Sequence, residues 1–412
     1  MTTLIYDIGT LVNVRQAHTL LYGKNLALLP CIHNAFLIVE DGRITDYGRM
    51  EDLFFPVTDF TFHYSAEGRC ILPSYCDSHT HLVFAGSRED EFVDKIKGLS
   101  YSEIAAKGGG ILNSARKLQE TSEEFLYQQS YIRLQEIIRT GTGAVEIKSG
   151  YGLTVEDELK MLKVIRRLKE SSPIPVRSTF LGAHALPEKY KDNREGYIQL
   201  IIEEMLPRVS KEGLADYIDV FCEKGFYTPE ETKKICRAGK EFGLKPKIHA
   251  NQLYASGGVQ AGVELNAVSV DHLESMDDDA IVSLAHSNTI GTLLPTAAFF
   301  LRMPYQPARK LIDSNCAIAL ASDYNPGSSP SGNMNFVVAI SCIQMRMLPE
   351  EAINASTLNG AYAMELQDEV GSISKGKRAN LVMTVPVPSI QYLPYSFSNN
   401  LIEKVMVNGE FI

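Results

Sequence analysis

An α/β fold, specifically a (β/α)8 barrel carrying a small β-sandwich domain built from both chain ends, is what this 412-residue sequence predicts. Three observations carry that expectation. Apolar strand-like runs alternate with helical patterns through the middle of the chain. No glycine-rich dinucleotide fingerprint follows the first of those runs, which weighs against an open doubly wound sheet. Both ends instead show short, half-buried strands separated by turn residues.

The N-terminal piece contains Leu4-Ile5-Tyr6, Phe36-Leu37-Ile38-Val39-Glu40 and Arg43-Ile44-Thr45-Asp46. Asp41-Gly42 between the last two is a hairpin signal, because both turn positions need a positive φ that these residues tolerate. The same texture returns at the C-terminus, in Leu381-Val382-Met383-Thr384-Val385 and in Lys404-Val405-Met406-Val407 before Asn408-Gly409. Residues 1–69 and 372–412 are therefore expected to pair into one discontinuous domain, leaving 70–371 for the barrel. Eight strand candidates lie in that middle: Cys70–Cys76, Thr142–Ile147, Val176–Leu181, Tyr217–Phe221, Lys245–His249, Ala267–Asp271, Thr289–Leu294 and Cys316–Ala321. Between two of them, Thr154-Val155-Glu156-Asp157 resembles a capping box, with Leu159, Leu162, Ile165 and Leu168 following on one helical face. Thr228-Pro229-Glu230-Glu231 starts another helix with proline in its first turn. Gly108-Gly109-Gly110 sits in a long connection without the Lys-Ser/Thr of a phosphate cradle and reads better as a substrate-covering loop.

Composition narrows the function. A net charge of −10 gives no general attraction to nucleic acid or to an anionic membrane surface, so neither is expected as a partner. No run approaches the roughly 20 apolar residues of a membrane span, and the N-terminus lacks a basic region followed by an apolar stretch. Seven scattered cysteines without a CxxC pair read as reduced and buried, which points to a cytoplasmic protein. A homodimer is the default expectation for a barrel enzyme of this kind.

The chemistry-bearing pattern begins at His79-Thr80-His81. Side chains alternate along an extended segment, so imidazoles at i and i+2 point to one side and can reach one cation. His184, His249, His272 and Asp323 each close a short apolar stretch, and in a barrel the strand ends converge on one face. The other four histidines, His18, His33, His63 and His286, fall in the end piece or near a helix end and take no role. Nitrogen and oxygen donors in this mixture suit one divalent Zn or Fe ion, with His79, His81, His249 and Asp323 as its shell. A cation so held lowers the pKa of its water and polarises a carbonyl, and His272 would hold that water or shuttle its proton. Arg88 could fork onto a substrate carboxylate, or pair instead with Glu89, Asp90 or Glu91. Tyr151, between two glycines just past strand two, reads as facing a ligand. Asp323-Tyr324-Asn325-Pro326-Gly327-Ser328-Ser329-Pro330 offers amide and hydroxyl donors in a turn-rich stretch, which a purely structural turn would explain equally well.

Five stretches spread over nearly the whole chain carry a resemblance. They are His79-Thr80-His81-Leu82-Val83-Phe84-Ala85-Gly86-Ser87-Arg88, Gly108-Gly109-Gly110-Ile111, Val145-Glu146-Ile147-Lys148-Ser149-Gly150-Tyr151-Gly152-Leu153, Phe180-Leu181-Gly182-Ala183-His184-Ala185, and Ala321-Ser322-Asp323-Tyr324-Asn325-Pro326-Gly327-Ser328-Ser329. By these the chain resembles the amidohydrolase superfamily. The resemblance implies a metal-bearing barrel beside a small β-sandwich, and the opening of 4-imidazolone-5-propanoate by water to N-formimidoyl-L-glutamate in histidine degradation. It places the metal on His79, His81, His249 and Asp323, and substrate contacts at Arg88, Tyr151, His184, Gln252, Asn325, Gly327 and Ser328. Some relatives carry Glu at position 252 after His-Ala-Asp, where this chain reads His249-Ala250-Asn251-Gln252. Gln252 can hydrogen-bond the ring but cannot take a proton, so His272 and Asp323 are the expected catalytic groups, with Arg88 clamping the propionate tail of a small-molecule substrate. Two-metal relatives use a bridging lysine on strand four; here Glu223 stands where that run stops, which favours a single ion. The alternatives are a mononuclear deaminase of a purine or pyrimidine-type ring, a dinuclear cyclic-amide hydrolase, and a protein that keeps the metal for stability alone.

Overall fold

The computed structural model describes residues 2–17, 19–99, 103 and 109–412. His18 and Gly108 lie outside the described residues. The chain ends build one mixed sheet from β1 (Thr2–Val12), β2 (Cys31–Glu40), β3 (Arg43–Arg49), β4 (Phe62–Ser65), β5 (Cys70–Pro73), β14 (Leu381–Thr384), β15 (Ile402–Val407) and β16 (Glu410–Phe411), in the order β16-β15-β14-β5-β1-β2-β3 with β4 also on β1. Both expected tight turns form. Asp41 and Gly42 take φ of 47° and 79° between the pair Glu40 and Arg43, and Asn408 and Gly409 take 48° and 83° between Val407 and Glu410. Two positive φ values in a two-residue loop match the right-handed twist of the flanking strands.

The second sheet is parallel throughout: β6 (Tyr75–Thr80), β7 (Thr142–Lys148), β8 (Val176–Ala183), β9 (Tyr217–Cys222), β10 (Lys245–Ala250), β11 (Ser269–His272), β12 (Ile290–Leu293) and β13 (Ile318–Leu320), each bonded to its sequence neighbour. The segment after β13 closes the cylinder against β6. His81 N donates to Tyr324 O at 2.9 Å and Asp323 N to His79 O at 3.0 Å, while Asp77 accepts the Ser322 amide and hydroxyl at 2.9 and 2.6 Å. The seam of the barrel therefore runs between His79-Thr80-His81 and Asp323.

One expected strand divides. Cys70–Cys76 is not a single barrel strand: β5 lies between β1 and β14 of the mixed sheet, and the barrel begins at Tyr75. Pro73 lacks the N–H that would continue a ladder. At the crossing, Ser74 N donates to Asn380 O of the mixed-sheet side at 3.0 Å and Tyr75 N to Gly141 O of the barrel side at 2.9 Å.

The helices start where capping residues stand. Thr154 accepts from the Asp157 amide ahead of Val155–Ser171, and Leu159, Leu162, Ile165 and Leu168 on its inner face are all buried. Burying each such leucine or isoleucine is worth about 1.5–3 kcal/mol. Thr228 and Glu231 form a complete capping box at Pro229–Glu241.

Candidate active site and metal centre

The barrel interior under the C-terminal strand ends is not apolar. Inward positions of β7, β9, β10 and β11 carry Glu146, Lys148, Asp219, Lys247 and Asp271, every side chain fully buried. Lys148 Nζ lies 2.6 Å from Glu146, 2.9 Å from Asp219 and 3.6 Å from Asp271, and Lys247 bonds Glu146 and the Ser78 carbonyl. Burial alone would raise the Asp219 carboxyl, but His249 and Lys148 beside it bring it well below the carboxylate range. Burial would likewise depress Lys148, yet Asp219, Glu146 and Asp271 together raise it. Buried charges of this kind need mutual pairing, and here they have it.

This layer orients the histidines above it. His79 Nδ1 sits 2.7 Å from Asp271 Oδ2, and His249 Nδ1 3.0 Å from Asp219 Oδ2. A carboxylate only accepts, so the hydrogen-bonded His79 Nδ1 carries the proton and its Nε2 keeps a lone pair, while His249 Nδ1 lies against Asp219 as a close polar contact. The Nε2 atoms of the three histidines gather in one place. His81 Nε2 is 3.2 Å from His249 Nε2, and Asp323 Oδ1 is 3.6 Å from His79 Nε2 and 3.7 Å from His81 Nε2. Four donors about 2.1 Å from a tetrahedral ion would stand about 3.4 Å apart. His79 Nε2 has no hydrogen-bond partner although buried. Two imidazole nitrogens 3.2 Å apart face each other favourably only across a cation or a shared proton. Burial, with Lys148 adding for His79 and His184 for His81, pushes both imidazoles well below their ordinary range, so they stay neutral. The residues present thus fit a metal ion. His272 joins from β11, with its ring 5.7 Å from that of His79 and 5.3 Å from that of His249, and its donor atom lies with those of His79 and Asp323 within 4.8 Å.

A cavity of about 590 Å³ opens above the cluster, and His81, His249, His272 and Asp323 line it together with Arg88, Tyr151, His184, Gln252, Asn325, Gly327 and Ser328. Every substrate contact expected from the sequence therefore borders one space. Arg88 pairs with Glu91, Nε and Nη2 bonding its carboxylate at 3.0 and 2.9 Å, and its guanidinium also borders the cavity beside Gly327. His184 Nδ1 donates to Gly150 O at 2.9 Å, which leaves Nε2 an acceptor; burial and then His249 hold this imidazole down at about 3. Gly150, at φ +114°, has no room for a Cβ, which would stand 2.9 Å from His184 Nδ1. Asn325 shapes the turn it belongs to, accepting from the Gly327 and Ser328 amides at 2.8 Å, and Ser328 Oγ donates to Asp323 Oδ2 at 3.1 Å. Tyr151 packs its ring 5.4 Å from that of His184.

A family model described as the amidohydrolase family matches residues 70–412. The chain is 57% identical to an imidazolonepropionase of Flavobacterium johnsoniae and 54% identical to one of Christiangramia forsetii, in each case over the whole of both proteins. The chain belongs to the amidohydrolase family, and within it to the imidazolonepropionases. Among solved structures, an adenosine deaminase from Xanthomonas campestris with bound zinc superposes with a TM-score of 0.70 at 15% identity, covering 99% of this chain and 92% of that one; this shows the shared fold.

Sequence reasoning passed over the charged layer. Glu146-Ile147-Lys148 and Lys247-Ile248-His249 alternate charged and apolar residues inside strands, and that alternation was the available signal. Glu223, read from the sequence only as the residue that ends the strand-four run, has a second part: its carboxylate, buried at the end of β9, accepts the Leu253 amide at 2.8 Å and so fixes the loop carrying Gln252. Lys95, which donates to Gly327 O at 3.1 Å and lines the cavity, had no sequence signal beyond helical spacing from Arg88 and Glu91.

Proposed function

We propose that this chain opens the ring of 4-imidazolone-5-propanoate with water, giving N-formimidoyl-L-glutamate, and that His79, His81, His249 and Asp323 hold one divalent ion, Zn or Fe(II), for the reaction. The carrying observation is that the donor cluster and the Arg88 guanidinium open into the same cavity, in a chain related over its full length to imidazolonepropionases. Bound there, the ion supplies Lewis acidity towards a carbonyl oxygen and a water of lowered pKa.

The chain's own groups do the rest. Arg88 grips the propionate carboxylate through the guanidinium edge that Glu91 leaves free, which fixes the ring over the cluster. His184 Nε2 accepts a ring N–H. His272, with Asp323, takes a proton from the attacking water and returns it to the departing ring nitrogen. Gln252 borders the ring and bonds it without exchanging a proton. The test is to offer freshly made imidazolone propionate and follow loss of its ultraviolet absorbance, with N-formimidoyl-glutamate as product. Ammonia released from a purine or pyrimidine base, with no turnover of the imidazolone, would favour the deaminase reading instead.

A further inference from the structure

His272 sits at a strained place in the backbone. It takes φ +91° and the next residue, Leu273, φ +67°, two successive side-chain-bearing residues in the region that favours glycine. Such strain persists only where surrounding structure imposes it. Here Leu273 N donates to Ala250 O at 3.2 Å and Ser275 N to Asn251 O at 2.8 Å, tying the twisted segment to the end of β10. The two left-handed residues fold the chain back so that Glu274 reaches the ring two residues before it: His272 Nδ1 and Glu274 Oε1 are 3.5 Å apart, with both side chains buried. The other carboxylate oxygen, Oε2, is buried with no partner. A buried carboxylate left half unpartnered costs stability, so its presence needs a reason other than packing.

We infer that Glu274 is a positioning residue for the reaction: its carboxylate accepts the Nδ1–H of His272 and fixes the tautomer whose Nε2 lone pair is available to the cavity. This rests on the role given above to His272. It supplies what Gln252 cannot, a neutral nitrogen held ready to accept a proton over the cluster. Were Nε2 protonated instead, His272 would present a donor and could not take the proton from water. The arrangement follows the general logic of an imidazole base oriented by a carboxylate on its far nitrogen.

The test uses Glu274→Leu and Glu274→Gln in the metal-loaded enzyme. Glu274→Leu is expected to lower kcat about 100-fold, the scale of one general base, with KM within twofold and metal content unchanged. Its thermal midpoint should hold or rise, because a buried half-partnered carboxylate is gone. Glu274→Gln, whose amide oxygen still accepts from Nδ1, should recover at least part of the kcat lost in the leucine variant. Wild-type kcat in Glu274→Leu overturns the inference, as does a joint fall of kcat, metal content and thermal midpoint in both variants. Should the leucine chain not fold, the imidazole 15N shifts of His272 in the unsubstituted holoenzyme decide: an Nδ1–H tautomer supports the inference and an Nε2–H tautomer overturns it. His272→Ala separates the two levels. If it keeps turnover, the role of His272 fails; if it loses turnover while Glu274→Leu keeps it, only the inference about Glu274 fails.

Discussion

Gly327→Ala tests the carboxylate grip with a single methyl group. Gly327 lies outside the left-handed region, so alanine meets no backbone strain there. The added Cβ would stand 2.2 Å from Arg88 Nη1 and 2.7 Å from Cζ. Ordinary contact begins near 3.4 Å, so the guanidinium must retreat by about 1 Å from the place Glu91 holds for it. A shift of that size breaks at least one of two parallel bonds to a substrate carboxylate, and a hydrogen bond to a charged group is worth about 1.5–3 kcal/mol. KM should therefore rise about 10- to 150-fold. The histidine cluster is untouched, so kcat at saturation should stay within about threefold. The assay is the steady-state loss of imidazolone absorbance over a wide substrate range, with metal content measured in parallel. In an Arg88→Met background the same glycine change should add less than about twofold, because the group it displaces is absent. An unchanged KM in Gly327→Ala, or an equal increase in both backgrounds, would refute the placement of Arg88 on the substrate.

Arg88→Met alone should raise KM by about tenfold or more with metal retained, measured in the same assay. His272→Ala should abolish turnover while metal content and the thermal midpoint hold, which separates a catalytic group from one that only supports the fold. Removing the metal by chelation should abolish turnover and lower the thermal midpoint; Zn(II) or Fe(II) should restore both, at about one equivalent per chain by elemental analysis. His184 gives a pH dependence. Buried and held near 3, it cannot take up the proton that the unfolded chain binds below its ordinary value near 6.5. Stability in metal-free protein should then fall as pH drops from about 6.5 towards 3, His184 accounting for about 3 kcal/mol at pH 4. Urea titrations of His184→Gln should show a correspondingly shallower loss over that window.

The barrel was legible because its strands announce themselves as apolar runs between capped helices, and Thr154 and Thr228 mark two of those helix starts correctly. The convergence of His79, His81, His249, His272 and Asp323 followed from strand ends meeting on one face, a property of topology more than of any local motif. Cys70–Cys76 misled because both halves are apolar and extended; only Pro73 and Ser74 mark the step from one sheet to the other, and hydrophobicity does not distinguish two buried sheets. Glu274 was invisible for a different reason. Its meaning depends on positive φ at His272 and Leu273, and neither residue type signals that conformation.

The site also shows where the fold commits its stability. The mixed sheet keeps its core apolar, with Ile5, Leu11, Leu37, Ile71 and Met406 packed together. The barrel instead buries Glu146, Lys148, Asp219, Lys247 and Asp271 at its centre, although a buried ion pair of similar volume is often no better than a hydrophobic pair. What those charges achieve is orientation: Asp271 holds the His79 imidazole by Nδ1, Asp219 lies against the His249 ring at 3.0 Å, and Lys148 holds both carboxylates at once. Together with the left-handed residues Asn251, His272, Leu273 and Asp323 at three strand ends, they bring strain and desolvated charge to the face that carries the site. Sequence rules based on burial and propensity fail most at such positions, because there the chain is built against them for the sake of geometry.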